Sequence, residues 1–215
     1  MKTDKIIARL MEYCNTLDES DRKLINQFME RDETSKLPGI FTLASLLTEL
    51  QRDLRAETAK ANGKAKAYKS AMTIINNSGY STLKGAIMID GKQYVCDGFR
   101  ALRFNNPIDL PMPEFDNPPN LKNVFDKSQV NSQPLPLPSI GELTSHIKLE
   151  KAKTGQKIVY WDCGEGYPLL DARYLLSILE AFPDCEAFYE NDYTAVYFTS
   201  NDGDAILLPV RRKAA

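Results

Sequence analysis

The chain has 215 residues, 43% hydrophobic and 26% charged, so it can bury a core and is not a disordered polymer. Its formal net charge of −2 gives nucleic-acid binding no overall support, although a local basic face remains compatible with it. No run of about 20 apolar residues occurs, which argues against a membrane span. Four dispersed cysteines and one histidine do not form a zinc cluster, so we expect no metal and no cofactor. The start shows no signal peptide, and we expect a cytoplasmic protein with reduced thiols.

The first 62 residues predict an all-α region. Apolar residues recur at helical spacing in three stretches, about residues 4–16, 18–29 and 42–54. Asp4 is a candidate N-cap, because its side-chain oxygen can accept a free first-turn N–H. Asn62-Gly63 predicts either the end of the third helix or a kink.

The following part of the chain predicts a helix and then three strands. The helix covers about residues 64–77. Two short apolar runs, at residues 83–89 and 93–96, are joined by Asp90-Gly91, which strongly favours a hairpin. A third strand is predicted at residues 100–104.

Residues 105–138 contain most of the prolines and predict a connector, because proline cannot donate a hydrogen bond to a sheet ladder. One short helix is expected within it, at residues 120–127. After the connector, Ser139 and Glu142 have the spacing of a capping box and predict a helix that reaches about Lys153.

The C-terminal part again predicts a helix followed by three strands. A strand at residues 157–162 leads to Asp171, the candidate N-cap of a helix that ends before Pro183-Asp184. The three strands are predicted at residues 187–189, 195–199 and 205–210. The repeated order of elements hints at a duplicated architecture.

The sequence contains none of four common catalytic or nucleotide-binding motifs, which are GxSxG, the P-loop, GxGxxG and HExxH. His146 lies in a predicted helix among charged residues, where an exposed helix position explains it best. The carboxylates near Asp162 and Glu165 leave open an enzyme with an acidic metal site, but turn and cap chemistry also accounts for them. We predict a protein that is not an enzyme.

Three short motifs occur in order along the chain. The first contains Asp97, Gly98 and Arg100, the second Arg173, Tyr174, Leu175 and Leu179, and the third Leu208, Pro209, Val210 and Arg211. They resemble the Thr-Asp-Gly-x-Arg-Leu turn, the Asn-x-Arg-Tyr-Leu-x-x-x-Leu helix and the final Met-Pro-x-Arg of the DNA sliding clamp, the beta subunit of bacterial DNA polymerase III. Cys96 replaces the threonine. The chain resembles this family over roughly residues 64–104 and 156–212, and it also resembles uncharacterised clamp-like proteins of bacteriophages and prophages.

The resemblance implies an α+β fold with a DNA-clamp-like domain over residues 63–215, built of two helix-plus-antiparallel-sheet halves. Residues 1–62 would form the all-α N-terminal region. The implied function is that of a clamp-like phage or prophage protein of DNA replication or repair, a platform for peptides that can also hold DNA. A protein–protein adaptor with the same fold and no DNA binding is the alternative. A clamp chain has three domains and this chain has material for about one, so a ring would need more subunits.

The resemblance also implies a peptide pocket and a DNA-contacting helix. The pocket residues would be Cys96, Gly98, Phe99, Arg100, Ala101, Ile206, Leu208, Pro209 and Val210. The alternative is that Phe99, Ile206 and Leu208 are core residues. Lys64, Lys66 and Lys69 would contact DNA, unless they form only a solvated helix face. The expected partners are a short linear peptide of another protein, double-stranded DNA and further copies of the chain, with no membrane.

Overall fold

The computed structural model describes residues 51–113, 119–130, 132–156 and 158–211. The chain divides into two compact units, Met1–Leu54 and Arg55–Ala215, and the second unit is described below. The helices predicted in residues 1–50 lie outside the described residues. Residues 51–61 are helical, and the helix ends at Asn62-Gly63 as predicted, where Gly63 adopts a φ of +71°.

The described part of the second unit combines helices with antiparallel strands. Helices α1 to α4 are Ala65–Asn77, Lys122–Ser128, Ile140–Thr154 and Ala172–Ala181. Strands β1 to β9 are Ile87–Ile89, Lys92–Cys96, Arg100–Phe104, Gln133–Leu135, Tyr160–Trp161, Leu170–Asp171, Glu186–Tyr189, Val196–Thr199 and Gly203–Leu207. Seven strands form one sheet in the order β1-β2-β3-β9-β8-β7-β4, and β5 pairs with β6. The mixture of helices and antiparallel sheet agrees with the predicted α+β class.

The unit contains the same arrangement twice. The series α1-β1-β2-β3 is matched by α4-β7-β8-β9, and the last strands of the two series pair antiparallel, with Leu102 opposite Ala205. The pairing of the last two strands is also the same in both series. Val95 of β2 pairs with Leu102 of β3, and Phe198 of β8 pairs with Ala205 of β9. The duplicated architecture predicted from the order of elements is therefore present.

One face of the sheet is covered by α1 and α4, which pack against each other. Leu102 and Leu207 point from the central strands toward Ile74 of α1 and Leu175 of α4, and all four are fully buried in one cluster. Burying a side chain of this size contributes roughly 1.5–3 kcal/mol. Helix α3 packs on α4.

The opposite face of the sheet is covered by α2. Successive strand residues point to opposite faces, so Ala101 and Ile206 project away from α1 and α4 and are buried with Phe125 of α2. Arg103 and Asp204 form a buried ion pair on this face at 2.6 Å, and the guanidinium of Arg103 lies 4.8 Å from the centre of the Phe125 ring. This helix from the proline-rich segment is thus part of the folded core.

Two local predictions about helix starts are confirmed. The Ser139 hydroxyl accepts a hydrogen bond from the Glu142 N–H at 3.2 Å, and the Glu142 carboxylate accepts one from the Ser139 N–H at 2.8 Å. Asp171 caps α4 by accepting from the Arg173 N–H at 2.9 Å. Both caps satisfy donors that the first helical turn leaves free.

The strands differ from the prediction in several places. Strand β1 begins at Ile87 rather than at residue 83, and β6 was not predicted. Strand β4 lies inside the predicted connector and pairs Leu135 with Ala187 at the edge of the sheet, where Pro134 is tolerated. Strand β5 contains only Tyr160–Trp161, fewer residues than predicted. Strand β9 ends at Leu207, and beyond it the Val210 N–H donates to the Leu169 carbonyl oxygen at 2.7 Å.

Candidate interaction surface

The turn between β2 and β3 is held by one buried carboxylate. Asp97 accepts hydrogen bonds from the backbone N–H groups of Phe99 at 3.0 Å and Arg100 at 2.9 Å. The same side chain forms an ion pair with the Arg100 guanidinium at 3.0 Å, and each partner's side chain is only 2% exposed. Gly98 supplies a φ of +92°, which other residues rarely adopt. The turn therefore holds Phe99 in a defined place, with 59% of the residue exposed.

Arg100 connects this turn to helix α4. Its guanidinium donates to the Ser177 hydroxyl and lies 4.4 Å from the centre of the Tyr174 ring. Ser177 in turn donates to the Tyr174 carbonyl oxygen at 2.8 Å. The contacts with Ser177 and Tyr174 hold the turn against the helix. The guanidinium that makes them is fixed by its buried ion pair with Asp97, and removing one partner of such a pair costs about 3–5 kcal/mol.

The segment after β9 completes the surface. The Leu208 N–H donates to the Phe99 carbonyl oxygen at 2.9 Å, and Leu208 is 44% exposed. The Phe99 ring stacks on the ring of Tyr174 with 6.2 Å between centroids. The Tyr80 ring lies against Gly98, where an added Cβ would be 3.4 Å from it. We call Tyr80, Phe99, Tyr174 and Leu208 the apolar corner.

The residues predicted to line a peptide pocket fall into three groups, of which two are at the apolar corner and beneath α2. Phe99 and Leu208 are exposed at the apolar corner, whereas Pro209 and Val210 are half-buried next to it. For Phe99 and Leu208 the core alternative is therefore wrong. Ala101 and Ile206 are buried beneath α2, because successive strand residues point to opposite faces of the sheet and these two point to the face that α2 covers. Ile206 is therefore a core residue, as the alternative interpretation of the sequence expected.

The other predicted pocket residues support the turn. Arg100 is buried behind Phe99, and Gly98 is exposed. The Cys96 sulfur accepts a hydrogen bond from the Gly98 N–H at 3.3 Å, and burial raises the pKa of the Cys96 thiol. These three residues shape the turn that presents Phe99.

Two residues of the apolar corner were not among the predicted pocket residues. Tyr174 belongs to the helix motif from which the resemblance was drawn, so that motif could have pointed to it. Tyr80 precedes the 3₁₀ turn Ser81–Leu83 and gives no sequence signal, since its approach to Gly98 is a tertiary contact.

The three lysines predicted to contact DNA lie at the start of α1. Lys66 and Lys69 are exposed, and Lys64 is half-buried. Within the described ranges none of the three forms an ion pair, so their charges are available to solvent or to a ligand. The structure thus places the three lysines together at the start of one helix.

Two of the residues considered for catalysis, His146 and Asp162, make local contacts. A ring nitrogen of His146 lies 2.8 Å from the Tyr160 carbonyl oxygen, and its ring meets the edge of Trp161. Asp162 accepts from the Gly164 N–H at 2.9 Å in a turn. Among the residues that the structure describes, no group of three or more acidic, histidine or cysteine side chains could hold a metal ion. In the same part of the chain, no helix is both long and apolar enough to cross a bilayer.

No protein-family model matches the chain, and no curated protein matches it. Among solved structures, the chain is similar to the Helicobacter pylori beta clamp in a crystal structure described as bound to a DNA ligase peptide. The TM-score is 0.34 and the sequence identity is 13%, over 59% of this chain. The matched part spans 42% of that clamp, less than half of its length.

Proposed function

We propose that this chain is a non-enzymatic, clamp-like platform that binds a short linear peptide of another protein at the apolar corner. The observation that carries the proposal is the hydrogen bond between Leu208 and Phe99, which holds two exposed apolar side chains together. Exposed apolar clusters on folded proteins commonly mark binding sites. Because the buried pair of Asp97 and Arg100 fixes the turn beforehand, little conformational entropy is lost on binding.

The chemistry of the corner favours a peptide with an aliphatic or aromatic anchor. Phe99 and Tyr174 present ring surface, and Leu208 adds an aliphatic side chain beside them. Arg173 is 37% exposed on the same helix as Tyr174, and its guanidinium lies 6.0 Å from the centre of that ring. An acidic or neutral residue next to the anchor would suit this cation better than a basic one.

The motif resemblance supports the clamp-like part of the proposal, together with the duplicated helix-and-sheet halves. A role in DNA replication or repair and a phage or prophage origin rest on that resemblance alone. Self-association into a ring is the corresponding expectation for assembly. A protein–protein adaptor that binds the peptide but not DNA remains the alternative.

Contact with double-stranded DNA is the second candidate function, favoured by Lys64, Lys66 and Lys69 on α1, which form no ion pair with any residue in the described part of the chain. Fluorescence anisotropy with a DNA duplex, measured over a series of salt concentrations, tests it. Replacing all three lysines by alanine should lower the slope of log K against log salt by about one for each lysine that binds a phosphate. Lys127→Ala on α2 is the control for removal of a positive charge. An unchanged slope in the triple variant favours the adaptor.

Peptide selection by display on the immobilised protein, followed by fluorescence polarisation, tests the main proposal. We expect Phe99→Asp and Leu208→Asp each to weaken binding of a selected peptide by at least about tenfold, because each buries a charge against an apolar anchor. Val130→Asp is the matched control, since Val130 is 74% exposed and lies outside the corner. Circular dichroism verifies that all three variants fold. Undiminished binding in both corner variants would remove the site from consideration.

A further inference from the structure

A groove of about 260 Å³ lies between α1 and α4, on the face of the sheet that these two helices cover. Lys69, Ser70 and Asn77 line it from α1, and Arg173 and Glu180 line it from α4. We propose that this groove binds a small oxyanion of the size of phosphate. Phe99 and Leu208 do not line it, so the proposal stands independently of peptide binding at the apolar corner.

Ser70 is the first observation that points to a ligand. It is only 2% exposed, and within the described residues its hydroxyl has no hydrogen-bond partner. A helical serine or threonine commonly donates to the carbonyl oxygen four residues earlier, as Thr73 does to Lys69 at 2.8 Å. A buried hydroxyl without a partner is unfavourable, and a ligand oxygen that reaches it as the side chains lining the groove move aside would satisfy it.

The charges around the groove favour an anion. Lys69 is exposed and forms no ion pair with any described residue. Arg173 uses Nε and one terminal nitrogen on Asp171, at 3.3 and 2.9 Å, so its other terminal nitrogen keeps donors for a ligand. These cations lie on the two facing helices, and a ligand with several acceptor oxygens can bridge them.

Two further charged residues line the groove and affect how strongly it attracts an anion. Arg100 also lines the groove, but Asp97 and Ser177 already occupy its guanidinium, so it contributes little additional attraction. The Glu180 carboxylate opposes an anion. Removing the Glu180 charge should therefore strengthen binding of the oxyanion, whereas removing a cation such as Lys69 should weaken it. The two substitutions thus test the proposal with opposite expected effects.

The test is isothermal titration of the full chain with inorganic phosphate in chloride buffer at low ionic strength. We expect Lys69→Ala to weaken phosphate binding about tenfold or more and Ser70→Ala to weaken it severalfold, since each removes a donor. Glu180→Gln should tighten it severalfold. Lys127→Ala removes an equal charge outside the groove and should leave binding unchanged. Absence of phosphate binding to the unaltered chain, or equal affinities in all four variants, would overturn the proposal.

A parallel titration with a DNA duplex identifies the source of the oxyanion. If Ser70→Ala weakens DNA and free phosphate alike, a backbone phosphate occupies the groove. If it weakens free phosphate only, the groove serves a small molecule. Both results support the oxyanion site, and neither depends on whether the apolar corner binds a peptide.

Discussion

The Leu208 N–H donates to the Phe99 carbonyl oxygen at 2.9 Å, joining the chain after the last strand to the turn before β3. The two residues are 109 positions apart in sequence (208 − 99), yet both are exposed at one end of the sheet. The antiparallel pairing of β3 with β9 brings them together, because Arg100 lies opposite Leu207. The apolar corner is thus a direct result of how the two halves of the unit join.

The ion pair of Asp97 and Arg100 should be a major support of this corner. Arg100→Met leaves a buried carboxylate without its partner, and we expect it to lower the free energy of unfolding by about 3–5 kcal/mol. Urea denaturation measures the decrease. Adding Asp97→Asn should cost less than the sum of the two single changes, because the second no longer breaks a pair. Strictly additive decreases would show that Asp97 and Arg100 do not stabilise each other in the folded chain.

Ser70→Ala should stabilise the protein in the absence of ligand. The substitution removes a buried hydroxyl that has no partner among the residues that the structure describes, and it places a better helix former in α1. We therefore expect a gain of about 1 kcal/mol. Thermal and urea unfolding in phosphate-free buffer provide the measurement. A decrease in stability of similar size would mean that the hydroxyl makes a favourable contact.

Gly203→Ala should be strongly destabilising. A Cβ at this position would overlap the carbonyl oxygen of Arg103 and lie 3.0 Å from the Phe182 ring. Overpacking in a core costs typically about 1–3 kcal/mol, and contact with backbone favours the upper end of that range. Gly79→Ala is the control, because a Cβ there meets nothing within 4 Å. Equal stability of the two variants would contradict the close packing of β3 and β9.

Cys185 should resist alkylation at neutral pH. Burial, followed by the charge of Asp184, raises the pKa of its thiol to about 12. Since the thiolate is the reactive form, the rate with iodoacetamide should rise about tenfold per pH unit between pH 8 and 10. Peptide mass spectrometry after timed quenching gives the rate. A plateau near the usual thiol pKa of about 8.5 would show that Cys185 is not shielded in the folded chain.

Local chemistry made much of the fold predictable from sequence. The capping box at Ser139 and the hairpin at Asp90-Gly91 depend on neighbouring residues only, and both occur as predicted. Strand β4 was not predicted, because Pro134 argues against a strand unless the strand is known to lie at an edge.

The site was predicted less completely, because its composition depends on how the sheet is covered. Strand β3 is buried on both faces, so Ala101 shows no polar–apolar alternation that would separate it from its neighbours. Only the position of α2 reveals that Ala101 and Ile206 face the core rather than a ligand. Likewise, the burial of Ser70 follows from the packing of α1 on α4, which its sequence neighbourhood does not indicate.

The most direct test of the account is chemical-shift mapping by NMR of the isotope-labelled chain with a peptide obtained by display selection. The account predicts that the largest changes occur at Phe99, Leu208 and Tyr174, and that Phe99→Asp abolishes them while Val130→Asp does not. Changes centred elsewhere, for instance on α2 or on the edge strand β4, with the corner unaffected, would contradict the central claim that the apolar corner is the peptide site.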